Sequence, residues 1–318
     1  MRGYAFRRLL WFLPVAFLAA TIVFFIMRVA PGDAALAILS LEGGFTASPE
    51  EVAELRARLG TDQPLLVQYT SWLSGLVHLD LGKSHWTGQS VISEIALRLP
   101  PTLYMIFIAL VLSVLMGIPI GLLSAFRQDQ WVDYILRGFA IGCMSIPGFW
   151  IGIMLILTLL FLFQWYPPLG YSPVYKEPLV ATSQLFFPAL VLSLRQMGVL
   201  ARMMRSCMLE VIREDYVRTA RAKGLAERVV LWVHALRNAM LPVVSVLGIE
   251  AVVIFSGAVI AEVLFNVPGV GSFLVDSIHN RDIPVMQGII LVVVLFVLLI
   301  NLVVDFAYAW LDPRIRYS

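Results

Sequence analysis

The sequence predicts an all-α integral membrane protein with six transmembrane helices and both termini on the inner side. Three observations carry this. Of 318 residues, 60% are hydrophobic and only 14% charged, where a soluble domain carries about a quarter charged residues. So little charge cannot cover a globule of this size, and water is not its only solvent. Six long runs are free or nearly free of charge, and the basic residues cluster on alternate connections between them. The same composition excludes a disordered chain, a collagen or a coiled coil. A net charge of +2 excludes a dedicated nucleic-acid binder. Two cysteines, Cys143 and Cys207, supply neither a disulfide framework nor a Cys-based zinc site.

The elements follow in order. A short inner terminus, 1–8, carries Arg2, Arg7 and Arg8 and precedes a first helix over 9–28. That run is longer than a secretory apolar core and lacks a small-x-small cleavage site, so it reads as an uncleaved span. Residues 29–98 form an outer region with helix signals of its own. Ser48 caps, Pro49 fits the first helical position, Glu51 closes a capping box and Gly60 ends the helix. Leu65, Tyr69, Trp72, Leu73 and Leu76 then fall on one helical face. This small helical cap either packs on the span ends or docks an extracytoplasmic partner.

The core, 99–318, holds spans at about 100–126, 138–163, 185–204, 242–264 and 283–311, with an inner loop at 205–241. A span needs about 20 apolar residues, and each run meets that length. The inner segments carry 15 Lys and Arg against 7 outside. Setting aside the outer region, which is too long to count, leaves 15 against 2, so the N-terminus lies inside.

Of the charges within the spans, Arg195 and Glu250 are placed deepest. Arg195 and Glu250 lie at matching depths, roughly 12–14 Å above the inner surface at 1.5 Å per residue. They either pair across consecutive antiparallel helices or face a wet path separately. Glu262 sits near the outer end of its span, ahead of Phe265-Asn266-Val267-Pro268-Gly269-Val270-Gly271. Pro268 and the two glycines stop the helix, so Asn266, Pro268 and Gly269 form a tight turn at the outer mouth, with Glu262 placed to gate the path.

Gly82-Lys83-Ser84 imitates the end of a phosphate loop, but Val77 stands where the pattern needs glycine. The four histidines, His78, His85, His234 and His279, show no metal-ligand spacing. No nucleophile elbow or zinc-protease motif occurs, and nothing supports an enzyme.

The inner loop is the informative stretch. Helix up to Lys223 stops at Gly224, the residue that takes a left-handed cap cheaply. Beyond it Val229, Val233, Leu236 and Met240 share a face, opposite Glu227, His234 and Asn238. Ala220, Ala222, Gly224 and Ala226 alternate with Arg221 and Lys223, so a partner backbone can approach closely beside two cations. Attachment to anionic headgroups is the plainer alternative.

Asp215-Tyr216-Val217-Arg218-Thr219-Ala220-Arg221-Ala222-Lys223-Gly224, followed by His234-Ala235-Leu236-Arg237-Asn238-Ala239 and Leu241-Pro242, resembles the coupling loop of bacterial ABC-importer permeases. More narrowly it is similar to the B-type permease subunit of the dipeptide/oligopeptide importer family. The resemblance covers almost the whole chain. Pro31-Gly32-Asp33, Leu59-Gly60-Thr61-Asp62-Gln63-Pro64, Asp80-Leu81-Gly82-Lys83-Ser84, Leu99-Pro100-Pro101-Thr102-Leu103, the Phe265 turn and Asp312-Pro313-Arg314-Ile315-Arg316 match in register. In that family a Glu-Ala-Ala-x-x-x-Gly element forms the helix that seats in the ATPase; here Arg218 and Thr219 replace the first two residues, while Ala220 and Gly224 match.

The resemblance implies a type I ABC-importer permease fold in the bacterial cytoplasmic (inner) membrane and ATP-driven alternating access. It implies a second homologous permease subunit, two ABC ATPase subunits and an extracytoplasmic substrate-binding protein as partners, within a lipid bilayer and with no nucleic acid. It places no cofactor on this chain, with ATP and Mg on the ATPase subunits. Peptides are the expected substrate; the family also handles glutathione, nickel chelates and oligosaccharides. A stand-alone secondary transporter or channel is the alternative, and a passive scaffold leaves the loop pattern unexplained.

Overall fold

The computed structural model describes residues 2–29, 35–36, 39 and 48–311. The Pro31-Gly32-Asp33 and Asp312-Pro313-Arg314-Ile315-Arg316 motifs lie outside them. The described residues are helical throughout, in the order α1 (Arg2–Val29), α2 (Pro49–Leu59), α3 (Leu65–Val77), α4 (Val91–Phe126), α5 (Trp131–Ser145), α6 (Gly148–Phe163), α7 (Pro178–Val211), α8 (Asp215–Ala222), α9 (Glu227–Phe265), α10 (Val270–His279) and α11 (Ile283–Leu311). By length and composition five of these helices can cross a membrane, or six spans exist if the bent pair α5–α6 is one. Two bodies form, one from Leu103–Val267 with Leu299 onward, the other from Arg7–Thr102 with Pro268–Leu298.

The second of these bodies contains α1 to α3. The outer cap begins as its residues dictate. The Ser48 hydroxyl accepts the Glu51 N–H at 3.2 Å, the Glu51 carboxylate accepts the Ser48 N–H at 2.8 Å, and Gly60 takes φ +66°. On α3, Tyr69 and Trp72 set their rings 5.3 Å from Phe24 of α1, and the Tyr69 hydroxyl meets Thr21 at 2.8 Å. Trp72 and Leu76 close over Ala20, Val23, Met27 and Leu291. Leu65, expected on this face, stays exposed at the first turn. Gly82-Lys83-Ser84 leads into a turn over residues 85–87, with Lys83 bridged to Ser90; the buried Ser84 hydroxyl donates to Asp282, whose carboxylate also accepts the His85 N–H at 3.2 Å.

The first body is organised by α7, which packs mainly on α9 and α5. Leu200, Met204, Cys207 and Met208 of α7 meet Ala235, Ala239 and Val243 of α9 and Leu122 of α4 in one apolar cluster. Membrane helices approach closely through small residues. A Cβ on Gly121 of α4 would stand 2.5 Å from the Ala201 carbonyl oxygen of α7, and one on Gly198 of α7 would stand 2.6 Å from that of Ala140 in α5.

The span expected over 138–163 is two helices, α5 and α6, bent by 102°. Proline pushes the preceding residue out of the helical region, and Ile146 before Pro147 sits at φ −85°, ψ 129°. The spans expected at 185–204 and 242–264 are parts of longer helices, so 205–211 belongs to α7 and 227–241 to α9.

At the end of α7, Arg205 grips Asp133 of α5 with both edges of its guanidinium, Nε to Oδ1 at 2.8 Å and Nη2 to Oδ2 at 2.7 Å. Asp133 is fully buried and also accepts the Ser124 hydroxyl of α4 and the Asp129 N–H at 3.1 Å. Removing one partner of such a pair leaves an uncompensated buried charge and costs about 3–5 kcal/mol. Asp133→Ala should therefore lower the melting temperature of the chain in nanodiscs sharply. The Asp133→Ala/Arg205→Ala double variant should recover part of the loss, and a thermal-melt cycle with additive losses would count against the assignment.

Candidate functional site

The inner loop takes its shape from α8 and the turn after it. Lys223 ends α8 and Gly224 follows at φ +76°, the left-handed cap that glycine adopts without penalty. Residues 221–229 are exposed throughout, a continuous accessible edge. Arg221 pairs with Glu227 across the bend through Nη2–Oε1 at 2.7 Å and Nε–Oε2 at 3.1 Å. Arg218 pairs with Asp215 on α8, both exposed. Asn238 donates to the Tyr216 hydroxyl at 2.8 Å, joining α8 to α9. Thr219, Ala222 and Lys223 face outward, as does Arg237, and His234 is half-buried.

Two expectations for the loop are corrected. Ala220, expected at the contact edge, is turned inward, 9% exposed, and packs with Val217 and Val230. An eight-residue amphipathic helix must bury its own apolar stripe, and Val217 and Ala220 are that stripe. The apolar face expected at Val229, Val233, Leu236 and Met240 is displaced as well: Val230, Ala235, Ala239 and Val243 are buried, whereas Val229 and Val233 are exposed. A π-helical turn over Val230–Ala235 stretches the first step from four residues to five and rotates the face. No residue type in that turn announces it.

Within the spans, Arg195 of α7 and Glu250 of α9 do come together. Nη1 of Arg195 stands 3.7 Å from Oε2 of Glu250, an ion pair too long for a hydrogen bond. The pair is lopsided. The Arg195 side chain is 51% exposed and that of Glu250 only 9%. Oε2 of Glu250 and Oε1 of the adjacent Gln196 are buried without a hydrogen-bond partner. Arg195 and Gln196 line a cleft of about 350 Å³ with Phe149, Ser256, Gly257 and Leu264.

At its far end α9 closes on Asn266, at φ +55°, and the Val267 N–H returns to the Glu262 carbonyl at 2.8 Å. The Tyr171 hydroxyl donates to the Phe265 carbonyl at 2.9 Å; burial pushes it up to about 12, so it keeps its proton. Glu262 is fully buried and faces no open path. Asn266 and Pro268 are exposed. Gly269 is buried, its N–H held by the Ser272 hydroxyl at 3.1 Å.

Comparison with known proteins gives the following likenesses. Residues 117–317 match the family model described as binding-protein-dependent transport system inner membrane component, and residues 1–106 match the model of its N-terminal part. A putative peptide transport system permease protein of Brucella abortus is 40% identical over 318 residues, covering all of both chains. The glutathione transport system permease protein GsiC of Escherichia coli is 37% identical, and the dipeptide transport system permease protein DppB of Alkalihalophilus pseudofirmus 36%, each again covering all of both chains. Among solved structures, an inward-facing conformation of the MetNI methionine ABC transporter superposes with a TM-score of 0.56 at 17% identity, covering 70% of this chain and 97% of that one.

Two outcomes follow from this geometry. Arg195→Ala strands a buried carboxylate, whereas Glu250→Ala leaves a half-exposed guanidinium, so the first should destabilise more. The double variant in nanodiscs should show a coupling of about 0.5–3 kcal/mol; additive losses in thermal melts would rule the pair out. A cysteine at the exposed Asn266 should react with an impermeant thiol reagent from the extracytoplasmic side, and labelling confined to the cytoplasmic side would overturn the orientation.

Proposed function

The chain belongs to the family of binding-protein-dependent transport system inner membrane components, a multi-pass permease subunit of an ABC importer, and from that premise we propose that its substrates are peptides. Full-length likeness to permeases named for peptide, dipeptide and glutathione transport supports this class. The observation that carries it is the Arg195–Glu250 pair, whose Arg195 lines the α7–α9 cleft. A peptide offers a carboxylate at one end and an ammonium at the other. The half-exposed guanidinium takes the first, and the under-satisfied carboxylate of Glu250 takes the second. A long, weak pair costs less to open than a bidentate one, so a zwitterionic substrate exchanges protein–protein charge contacts for its own.

In this reading the chain forms half of a translocation path, completed by a second permease subunit. Two ATPase subunits carry all ATP and Mg chemistry, and an extracytoplasmic binding protein delivers the peptide. The exposed edge of Arg218, Thr219 and residues 221–226, with Asp215, Tyr216, His234, Arg237 and Asn238 behind it, seats in the ATPase. Ala220 acts from inside, holding α8 against Val230 so that movement of α8 is passed to α9. Closure of the ATPase dimer on ATP then shifts the helices that carry Arg195 and Glu250. Family membership does not favour a transporter working alone.

Gly224 tests the coupling. A Cβ there meets nothing within 4 Å, so Gly224→Val strains only the backbone, by about 1–3 kcal/mol for a non-glycine in the left-handed region. Membrane insertion should persist while ATP-driven dipeptide uptake by the reconstituted complex falls by about tenfold or more. Gly224→Asn, which tolerates that conformation, should retain most uptake. Normal uptake by Gly224→Val would detach this turn from coupling.

A further inference from the structure

Among the described residues six buried side-chain nitrogen or oxygen atoms have no hydrogen-bond partner. Two are those of Gln196 and Glu250. The other four are Nε of Arg28, Oε1 of Gln68, Nδ1 of His85 and Nε2 of Gln287, and all four residues line a single cavity of about 400 Å³ in the body that holds the outer cap. Buried polar atoms are nearly always paired, and each one left unpaired costs about 1–3 kcal/mol. Four such groups around one cavity give it a polar wall with hydrogen-bonding capacity of both kinds.

The chemistry of the filler can be read from its walls. Gln68 donates through Nε2 to the carbonyls of Gln63 at 2.7 Å and Thr61 at 3.4 Å, so its Oε1 is fixed as an acceptor that wants an N–H. Arg28 and Gln287 offer N–H groups that want an oxygen. Lys83 also lines the cavity, and the carboxylate there is Asp80, already accepting the Gly82 N–H at 2.9 Å. Asp282 is engaged by Ser84, His85 and Trp86. Burial holds the His85 imidazole below its ordinary value, with Arg28 acting the same way against Asp282, so at neutral pH it adds no charge. Among the residues that line the cavity, Arg28 and Lys83 against Asp80 leave one positive charge in excess, with the Asp282 carboxylate behind His85.

We propose that this cavity is a recognition site for a carboxylate with an adjacent amide N–H, the carboxylate taken by Arg28 and Gln287 and the N–H by Gln68. Two sources share that chemistry: an acidic residue in a loop of the extracytoplasmic partner, or the C-terminal residue of a free peptide. The volume lies within the range of small-ligand sites, about 300–1,000 Å³. The proposal depends on residues 29–98 facing outward and not on the Arg195–Glu250 cleft.

The full-length chain in nanodiscs of neutral lipid provides the test, with the fluorescence of Trp72, which lines the cavity, as the signal. Three probes are titrated: acetyl-Ala-Glu-Ala-amide for the loop, acetyl-Ala-Ala with a free carboxylate for the peptide end, and acetyl-Ala-Gln-Ala-amide as the neutral control. At least one acidic probe should saturate at a concentration about tenfold or more below the control, as expected for a charge-assisted contact, and which one does so names the source. Arg28→Gln should lose that margin, and Gln287→Leu, which keeps the cation, should weaken binding several-fold. The Arg195→Ala/Glu250→Ala variant should bind as the parent does, separating this site from the cleft. Equal affinity for the neutral probe, no saturation by either acidic probe, or unchanged binding in both Arg28→Gln and Gln287→Leu would overturn the proposal and leave a cavity that holds only water.

Discussion

Asp133 is a carboxylate with no exposed surface, in a chain with too little charge to cover itself. Water cannot stabilise it there, and a buried ion persists only where its hydrogen-bonding capacity is met. Four donors meet it: both nitrogens of the Arg205 fork, the Ser124 hydroxyl and the Asp129 N–H. These donors come from α4, the turn before α5, and α7, so one ion fixes three segments at once. α7 is the helix on which the rest of that body hangs. It carries Gly198 against α5, Leu200 to Met208 against α9, and Arg195 beside the cleft. The chain then passes directly from α7 into the exposed loop.

Features set by local chemistry were legible without coordinates. Ser48, Glu51 and Gly60 encode a cap and a stop within the helix they bound, and Gly224 encodes a bend by its own conformational freedom. The apolar runs encode spans because bilayer thickness is an external ruler. Register and direction were not legible, because they depend on what lies opposite. Ala220 is a small residue on a basic helix whether it faces a partner or its own Val230. The π turn before Ala235 rotates a face that a regular helix would have placed at Val233. The uncharged run from 138 to 163 reads as one span, whereas Pro147 divides it into two helices bent by 102°. The Arg205–Asp133 pair joins residues 72 apart, and no local pattern marks such a match.

The equal depth of Arg195 and Glu250 was legible, since consecutive antiparallel helices share one ruler. Distance along each helix told how high the charges sit, and the structure added how far apart they lie. The separation is the part on which the proposed role rests. At 3.7 Å, with the facing carboxylate oxygen lacking any hydrogen bond, the attraction orients both groups without satisfying either.

Two ion pairs on one helix therefore follow opposite designs. Arg205 and Asp133 meet at 2.7 and 2.8 Å with planar, bidentate geometry and further donors around the carboxylate. Opening that pair would expose a charge to apolar surroundings with nothing to replace its contacts. Arg195, ten residues earlier and so about 15 Å along α7, is half-exposed and faces a Glu250 oxygen that has no hydrogen bond. Opening this pair costs little if an incoming group brings charges of its own. A transporter that alternates between two states needs both kinds of contact. Some must hold while the helices move as units, and others must exchange partners as the path fills and empties. Bond geometry separates the two kinds here: saturation at the inner end of α7 makes that end an anchor, and incomplete pairing at its middle leaves the contact free to exchange partners, as the proposed path requires.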